Sequence, residues 1–445
     1  MNRAMIVLLI VLAMSLLGQM LKRLAGFAEF PNFFPIARDL LLVTIFVWSF
    51  GRIALFSNTR LLGSLILFLF LFVAYIMISV FEDRHFLGLY YARVYLLPIL
   101  FFVAMHITLK NMNFQGVVHV LQLSSWFNAI LLLTAFSLYA IVQFFPDEKA
   151  MFFGSSLLPT AWYISGGVFM RMGLPLTGPN NLGTYLGLSL LMMLLVILAL
   201  PSGTRGRKIC MLLAGFNIIA LVATFSRSAL IMVILGGASL LLVPALRRGR
   251  VFSRILVISV SFFTVFAAGG LVVELMSEGF VSRWIVLNLN LQDPSLLGHW
   301  HSIESAYHNF YQYALYGYER GTVGPKAFIF SSNGYNVENS VLGVIYDFGV
   351  IGAFFFFLGY TLLLSVGYRT RLQLPLLLGF FINMQFLPFI FEPEIISFFI
   401  FIFLLVGHLD RVGFFSRLYE SSEDKPIAGS KQLFLGNAKR SGVYA

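Results

Sequence analysis

The chain has 445 residues, of which 59% are hydrophobic and only 11% charged, and its formal net charge is +11. That is too little charge to cover a water-facing surface of this size, so a soluble globular protein is excluded. The basic excess lies in short connecting segments, where the positive-inside rule accounts for it without a nucleic-acid partner.

Apolar runs of about 20 residues recur along the chain, the length a helix needs to cross a ~30 Å hydrocarbon core. Alternating segments of the kind found in membrane β-barrels are absent. The pattern predicts an all-α polytopic membrane protein embedded in the lipid bilayer, with about twelve transmembrane helices. They fall at roughly 4–21, 39–57, 61–81, 90–109, 117–145, 181–200, 208–225, 228–246, 251–273, 340–366, 372–390 and 395–409. Met1-Asn2-Arg3 leads into an apolar run with no small-residue cleavage site, which reads as a first span and not as a cleaved signal. Cys210 is the single cysteine, so no disulfide framework and no thiolate metal site is indicated.

Basic residues set the orientation. Arg205, Arg207 and Lys208 follow the sixth span, Arg247, Arg248, Arg250 and Arg254 the eighth, Arg369 and Arg371 the tenth, and Arg411 and Arg417 the twelfth. They mark one side as cytoplasmic, with both termini inside, and Lys22, Arg23 and Arg38 fall on the other side. Residues 1–273 then hold nine spans with an outer loop at 146–180, 274–339 form a large outer loop, 340–409 hold the last three spans, and 410–445 form a cytoplasmic tail. The loop at 146–180 is rich in aromatics and glycine (Trp162, Tyr163, Gly166, Gly167). The loop at 274–339 is far longer than a connection requires, which marks it as functional. Ser302–Ala314 reads as a surface helix, ended by Gly317, Gly321, Gly324 and Pro325.

Several polar residues stand out against this apolar background. Arg227, in Thr224-Phe225-Ser226-Arg227-Ser228, lies between two apolar runs and reads either as an anion ligand or as a snorkelling helix end. Arg171 precedes Gly178-Pro179-Asn180-Asn181, a turn and helix start with Asn180 or Asn181 as cap, and a helix N-terminus is an anion site. Arg93 sits in an aromatic belt and reads as a phosphate or sugar contact, or as an interfacial residue. The large loop adds Arg283, Arg320, His299, His301, His308 and, at its end, Glu338-Asn339. A histidine or carboxylate there can take a proton from a sugar hydroxyl. His299 and His301 lie two apart without further ligands, so no metal is expected. In Asp347-Phe348-Gly349-Val350-Ile351-Gly352 the glycines read as close helix packing, and Asp347 as packed or cavity-facing. No Walker loop, Rossmann fingerprint or Asp-x-Asp motif occurs, which disfavours nucleotide chemistry and leaves no cofactor to expect.

Three segments together resemble the O-antigen ligase/polymerase superfamily: Arg171–Gly183 (RMGLPLTGPNNLG), Thr224–Leu230 (TFSRSAL) and Glu338–Gly352 (ENSVLGVIYDFGVIG). The likeness covers roughly 160–366, and includes the long outer loop before the tenth span. The resemblance implies a GT-C-like helical fold in the bacterial cytoplasmic (inner) membrane. It also implies transfer of a glycan from undecaprenyl diphosphate to an acceptor sugar at the outer face, with neither nucleotide nor metal. Outer-face arginines would hold the diphosphate: Arg171 and Arg227, then Arg283, Arg320 and Arg93. The base would be Glu338, His299, His301 or His308. The chain has Glu338-Asn339 where many ligases have His-Asn, and Gly298-His299-Trp300 where many members have Gly-Arg followed by Trp, so those four stay open. The Glu-Asn form leans to a polymerase of O-antigen, capsule or exopolysaccharide repeat units, with a chain-length regulator as an implied partner. The alternatives are a ligase acting on a lipid A core or protein, and a non-enzymatic polysaccharide transporter or flippase.

Overall fold

The computed structural model describes residues 3–24, 33–50, 59–81, 85–144, 171–176, 178–245, 315, 317, 337, 339–385, 387 and 392–416. The expected ninth span and nearly all of the two outer loops lie outside the described residues. So do Glu338, His299, His301, His308, Arg283 and Arg320. Among the described residues there are helices and no strand. In chain order these are α1 (Arg3–Leu24), α2 (Phe33–Phe50), α3 (Thr59–Phe81), α4 (His85–Lys110), α5 (Phe114–Phe144) and α6 (Pro179–Ala199). Then follow α7 (Arg205–Ala223), α8 (Arg227–Ala245), α9 (Ser340–Gly367), a 3-10 turn at Arg371–Gln373, α10 (Leu374–Met384) and α11 (Pro393–Arg411).

Seven of these, α3, α4, α5, α6, α7, α9 and α11, contain stretches long and apolar enough to cross a membrane. Within the described residues, shorter apolar stretches occur at Arg3–Leu17 of α1, Arg227–Leu240 of α8 and Arg371–Met384, which takes in α10. The outward faces confirm the solvent. Phe70 is 67% exposed, Leu133 70% and Leu212 62%, a surface that suits hydrocarbon and not water. The protein is a polytopic, membrane-embedded helical bundle.

The helices α4, α6 and α11 are the most enclosed. Tyr185 of α6 stacks on Phe398 of α11 with ring centroids 4.2 Å apart, and Phe380 of α10 stacks on Phe399 of α11 at 4.2 Å. At one end of the bundle Arg411 donates to the Lys110 carbonyl at 3.2 Å, joining the C-termini of α11 and α4. The starts of α6, α8 and α11 lie towards the opposite end, called here the Arg171 end.

Two helices depart from the expected spans. α10 has only 11 residues, about 16 Å, which is half of a ~30 Å core. A capping box between Thr370 and Gln373 starts its 3-10 lead-in, and its helical bonding stops at Gln385, shortly before Pro388. α9 is broken at Gly349 (φ 71, ψ 175), so that Ser340–Phe348 is a separate short helix. The two pieces meet end to end. Asn339 Nδ2 donates to the Gln385 carbonyl at 2.8 Å, and Ser340 Oγ donates to the Leu387 carbonyl at 2.6 Å. The first piece of α9, about 13 Å long, thus starts beside the point where α10, about 16 Å long, stops.

The break at Gly349 is not the helix–helix packing expected of a glycine in that run. A Cβ on Gly349 would lie 2.2 Å from the Leu315 carbonyl oxygen, and one on Gly317 would lie 2.6 Å from the Asp347 carbonyl oxygen. The backbone at Leu315 and Gly317, within the large loop, therefore lies directly against the break, and both glycines have positive φ. Asp347 is fully buried and packed, accepting from Tyr95 at 2.7 Å and from Tyr75 at 3.0 and 3.1 Å. It pins the break to α3 and α4.

Gly349→Ala should destabilise the protein by more than the ~1–2 kcal/mol of a left-handed alanine, because the Leu315 carbonyl must also move. Thermal unfolding in detergent measures this, and a wild-type melting temperature would contradict the contact.

Candidate functional site

The site at the Arg171 end begins with a turn. α7 ends at Ala223 and α8 starts at Arg227, so the chain reverses within Thr224-Phe225-Ser226. Phe225 adopts φ 50, a left-handed conformation that costs a bulky residue about 1 kcal/mol or more. The turn is bonded internally. Thr224 Oγ1 donates to the Leu221 carbonyl at 2.7 Å and accepts from the Ser226 amide at 3.2 Å. α6 is pressed against it, since a Cβ on Gly183 would lie 2.8 Å from Ser226 Cβ and 3.1 Å from Ala229 Cβ. Gly183 and Gly187 thus form a small-residue face that seats α6 on α8.

Arg171 docks on the same turn. The Met172 amide donates to the Ala223 carbonyl at 2.9 Å. The guanidinium Nε donates to the Thr224 carbonyl at 2.9 Å, and Nη2 donates to the Phe225 carbonyl at 3.3 Å. A cation at these carbonyls sits at the negative end of α7, where it is favoured. Nη2 also donates to Asn180 Oδ1 at 3.1 Å. This corrects the expected cap. The residue capping α6 is Gly178 with Pro179 following, and neither Asn180 nor Asn181 serves as cap. Pro179 has no amide hydrogen to satisfy, which leaves Asn180 free to turn to the arginine.

From Asn180 a chain of bonds leads to α9. Thr184 Oγ1 donates to the Asn180 carbonyl at 2.9 Å and accepts from Asn383 Nδ2 at 2.8 Å. Two residues beyond Asn383, the Gln385 carbonyl accepts from Asn339. The Asn339 side chain caps α9, accepting from the amides of Val341 and Leu342 at 2.9 Å. The three sequence segments around Arg171, Arg227 and Asn339 are therefore assembled into one structure. Arg227 opens α8 directly after the turn and is partly exposed. The N-termini of α6, α8 and α9 belong to this assembly, and each carries the positive end of a helix dipole.

Arg93 is held by other groups. Its Nε pairs with Asp39 of α2, and its guanidinium lies 5.8 Å from the Tyr90 ring centroid. Asp39 also accepts from Arg38 at 2.8 Å, and Arg38 reaches Glu394 at 3.4 Å. Arg38 is thus neutralised while only 8% exposed, which explains how a basic residue sits at the same end as the first turn of α11. Part of the charge of Arg93 is offset by Asp39 of α2.

Two buried histidines, His106 of α4 and His408 of α11, lie near the Lys110–Arg411 contact with ring centroids 5.9 Å apart. No group of three or more metal-ligating side chains occurs among the described residues. Sequence reasoning passed over Thr184, Asn383 and the pair Tyr75 and Tyr95. Asn383 was detectable in principle, as a lone amide inside an apolar run. No family model, curated protein or solved structure matches the chain.

The left-handed turn can be tested directly at Phe225. Asparagine tolerates that backbone and a β-branched residue does not. Phe225→Val should be less stable than Phe225→Asn by about 1–2 kcal/mol in detergent unfolding. Equal stabilities would show that the turn is not left-handed in the membrane protein.

Proposed function

We propose that this chain is a membrane glycosyltransferase that polymerises lipid-linked polysaccharide repeat units. Its donor is a glycan on a polyprenyl diphosphate such as undecaprenyl diphosphate, and its acceptor is a sugar hydroxyl. The observation that carries the reading is that Arg171 docks on the turn from which Arg227 opens α8, beside the start of α6 and tied through Asn383 and Gln385 to the start of α9. Such a set of donors suits a diphosphate leaving group. The family likeness of the same three segments points the same way. In this reading the Arg171 end faces outwards, the termini are cytoplasmic, and the fold is GT-C-like with about twelve spans in a bacterial inner membrane.

The chemistry then asks little of the protein. The acceptor oxygen attacks the anomeric carbon as the bond from that carbon to the phosphate oxygen breaks. The electron pair leaves with the diphosphate, where Arg227, Arg171 and the helix ends offset the added charge. The acceptor proton passes to a base on the large loop, from the set Glu338, His299, His301 and His308. Arg283 and Arg320 of that loop are further diphosphate ligands in this scheme. Arg171 acts partly by posture, because it fixes Asn180 and the turn that presents Arg227. Asn339 and Gln385 hold the start of α9 in register. A chain-length regulator is the partner such an enzyme would use.

A transporter is the second reading, and the break in α9 beside the short α10 favours it. Discontinuous helices meeting inside the membrane are characteristic of such proteins. The transporter pattern requires the discontinuity twice, in matching halves, and among the described residues it occurs once.

Purified protein in detergent, where no compartments exist, should elongate lipid-linked repeat units. Elongation supports the polymerase, and transport in proteoliposomes without elongation supports the transporter. Arg227→Ala should lower elongation by about 10²–10³-fold, the usual effect of losing one donor to a developing anion. Arg227→Lys should recover part of it, because a point charge lacks the bidentate fork. Normal polymer made by Arg227→Ala would remove Arg227 from the site.

A further inference from the structure

The break in α9 and the short α10 leave a gap in the bundle. α9 and α10 do not pack along one another. The space between them is a cavity of about 400 Å³, within the ~300–1,000 Å³ typical of small-molecule sites. Its walls are apolar: Phe356 and Leu364 on α9, Leu377 and Phe381 on α10, and Phe399 on α11, with Phe102 of α4 behind them. Phe381 is 57% exposed, so the cavity opens sideways on the outer surface of the bundle, which is hydrocarbon in a membrane. Two further lining residues, Val341 and Met384, adjoin the joint where Asn339 and Ser340 bond to Gln385 and Leu387. One end of the slot therefore meets the polar assembly that leads to Arg171.

We propose that this slot holds the hydrocarbon chain of the lipid-linked substrate, with its charged head at the Arg171 assembly. The proposal rests on reading that assembly as the diphosphate site. The volume fits roughly a dozen carbon-sized groups, taking the ~30 Å³ of a water-sized group as the unit, which is a segment of one chain. The slot's walls are mostly apolar, with Tyr360 and Thr361 of α9 the hydroxyl-bearing residues in the lining, so the chain is held chiefly by length and shape. Discrimination among head groups belongs to the polar end, and the joint between the half-helices is where the two ends of an amphiphile would part.

The test uses the full-length protein in nanodiscs, with two probes: inorganic diphosphate, and a polyprenyl diphosphate carrying a photoreactive group on its chain. Leu377→Trp fills the slot without touching the polar assembly. It should weaken polyprenyl diphosphate binding by about tenfold or more and leave inorganic diphosphate binding unchanged. The unchanged binding of the smaller probe also shows that the variant is folded. Arg171→Ala should weaken both. In the wild type the photoprobe should label peptides from 354–364 and 374–384. If Leu377→Trp leaves polyprenyl diphosphate binding intact and the label falls on other helices, ordinary phospholipid fills the slot and the proposal fails, while the diphosphate reading stands. Labelling of these peptides in a protein with no affinity for inorganic diphosphate would keep the slot and remove the diphosphate reading.

Discussion

A backbone buried in hydrocarbon must satisfy its own hydrogen bonds, and the joint between α10 and α9 is where this constraint is hardest to meet. Two helices end inside the bundle there. The carbonyls beyond the end of α10 and the amides at the start of α9 would both be orphaned. Asn339 answers both, accepting from Val341 and Leu342 with Oδ1 and donating to Gln385 with Nδ2. Ser340 adds a bond to Leu387. An unmade bond of this kind costs about 1–3 kcal/mol, so the amide at position 339 and the hydroxyl at 340 are structural requirements of the break as well as parts of a site.

The rest of the arrangement depends on that joint. Because α10 stops early, Asn383 near its end can reach Thr184, and the start of α6 is tied to the start of α9. Because α9 is broken at Gly349, its first part is a separate rod held by Asp347 to Tyr75 and Tyr95. Leu315 and Gly317 of the large loop lie against the same break. The loop, the half-helix and the arginine turn are therefore mechanically linked. The loop and the half-helix meet through backbone contacts that leave no room for a Cβ, and the arginine turn joins them through Asn180, Thr184, Asn383 and Gln385.

The two charge clusters at the Arg171 end show how the same residue type serves different ends. Arg38 and Arg93 are compensated by Asp39 and Glu394 and fasten α2, α4 and α11. Arg171 docks on backbone carbonyls and an amide side chain and fastens the turn between α7 and α8 to the start of α6.

The amino-acid sequence by itself determined that the chain is helical and lies in a membrane, because 20-residue apolar runs admit no other stable state for their backbone groups. It also singled out Arg171, Arg227, Asn339 and Asp347, since polar residues beside or inside apolar runs are conspicuous. What it did not contain was partnership. That Asn180 turns to Arg171 and leaves the cap to Gly178, that Arg93 is claimed by Asp39, and that Gly349 breaks a helix against the Leu315 carbonyl all depend on contacts made outside the helix that carries each residue. Hydropathy records how apolar a stretch is and not which neighbour it meets. The termination of α10 after 11 residues, and the slot beside it, could only be decided by the tertiary structure.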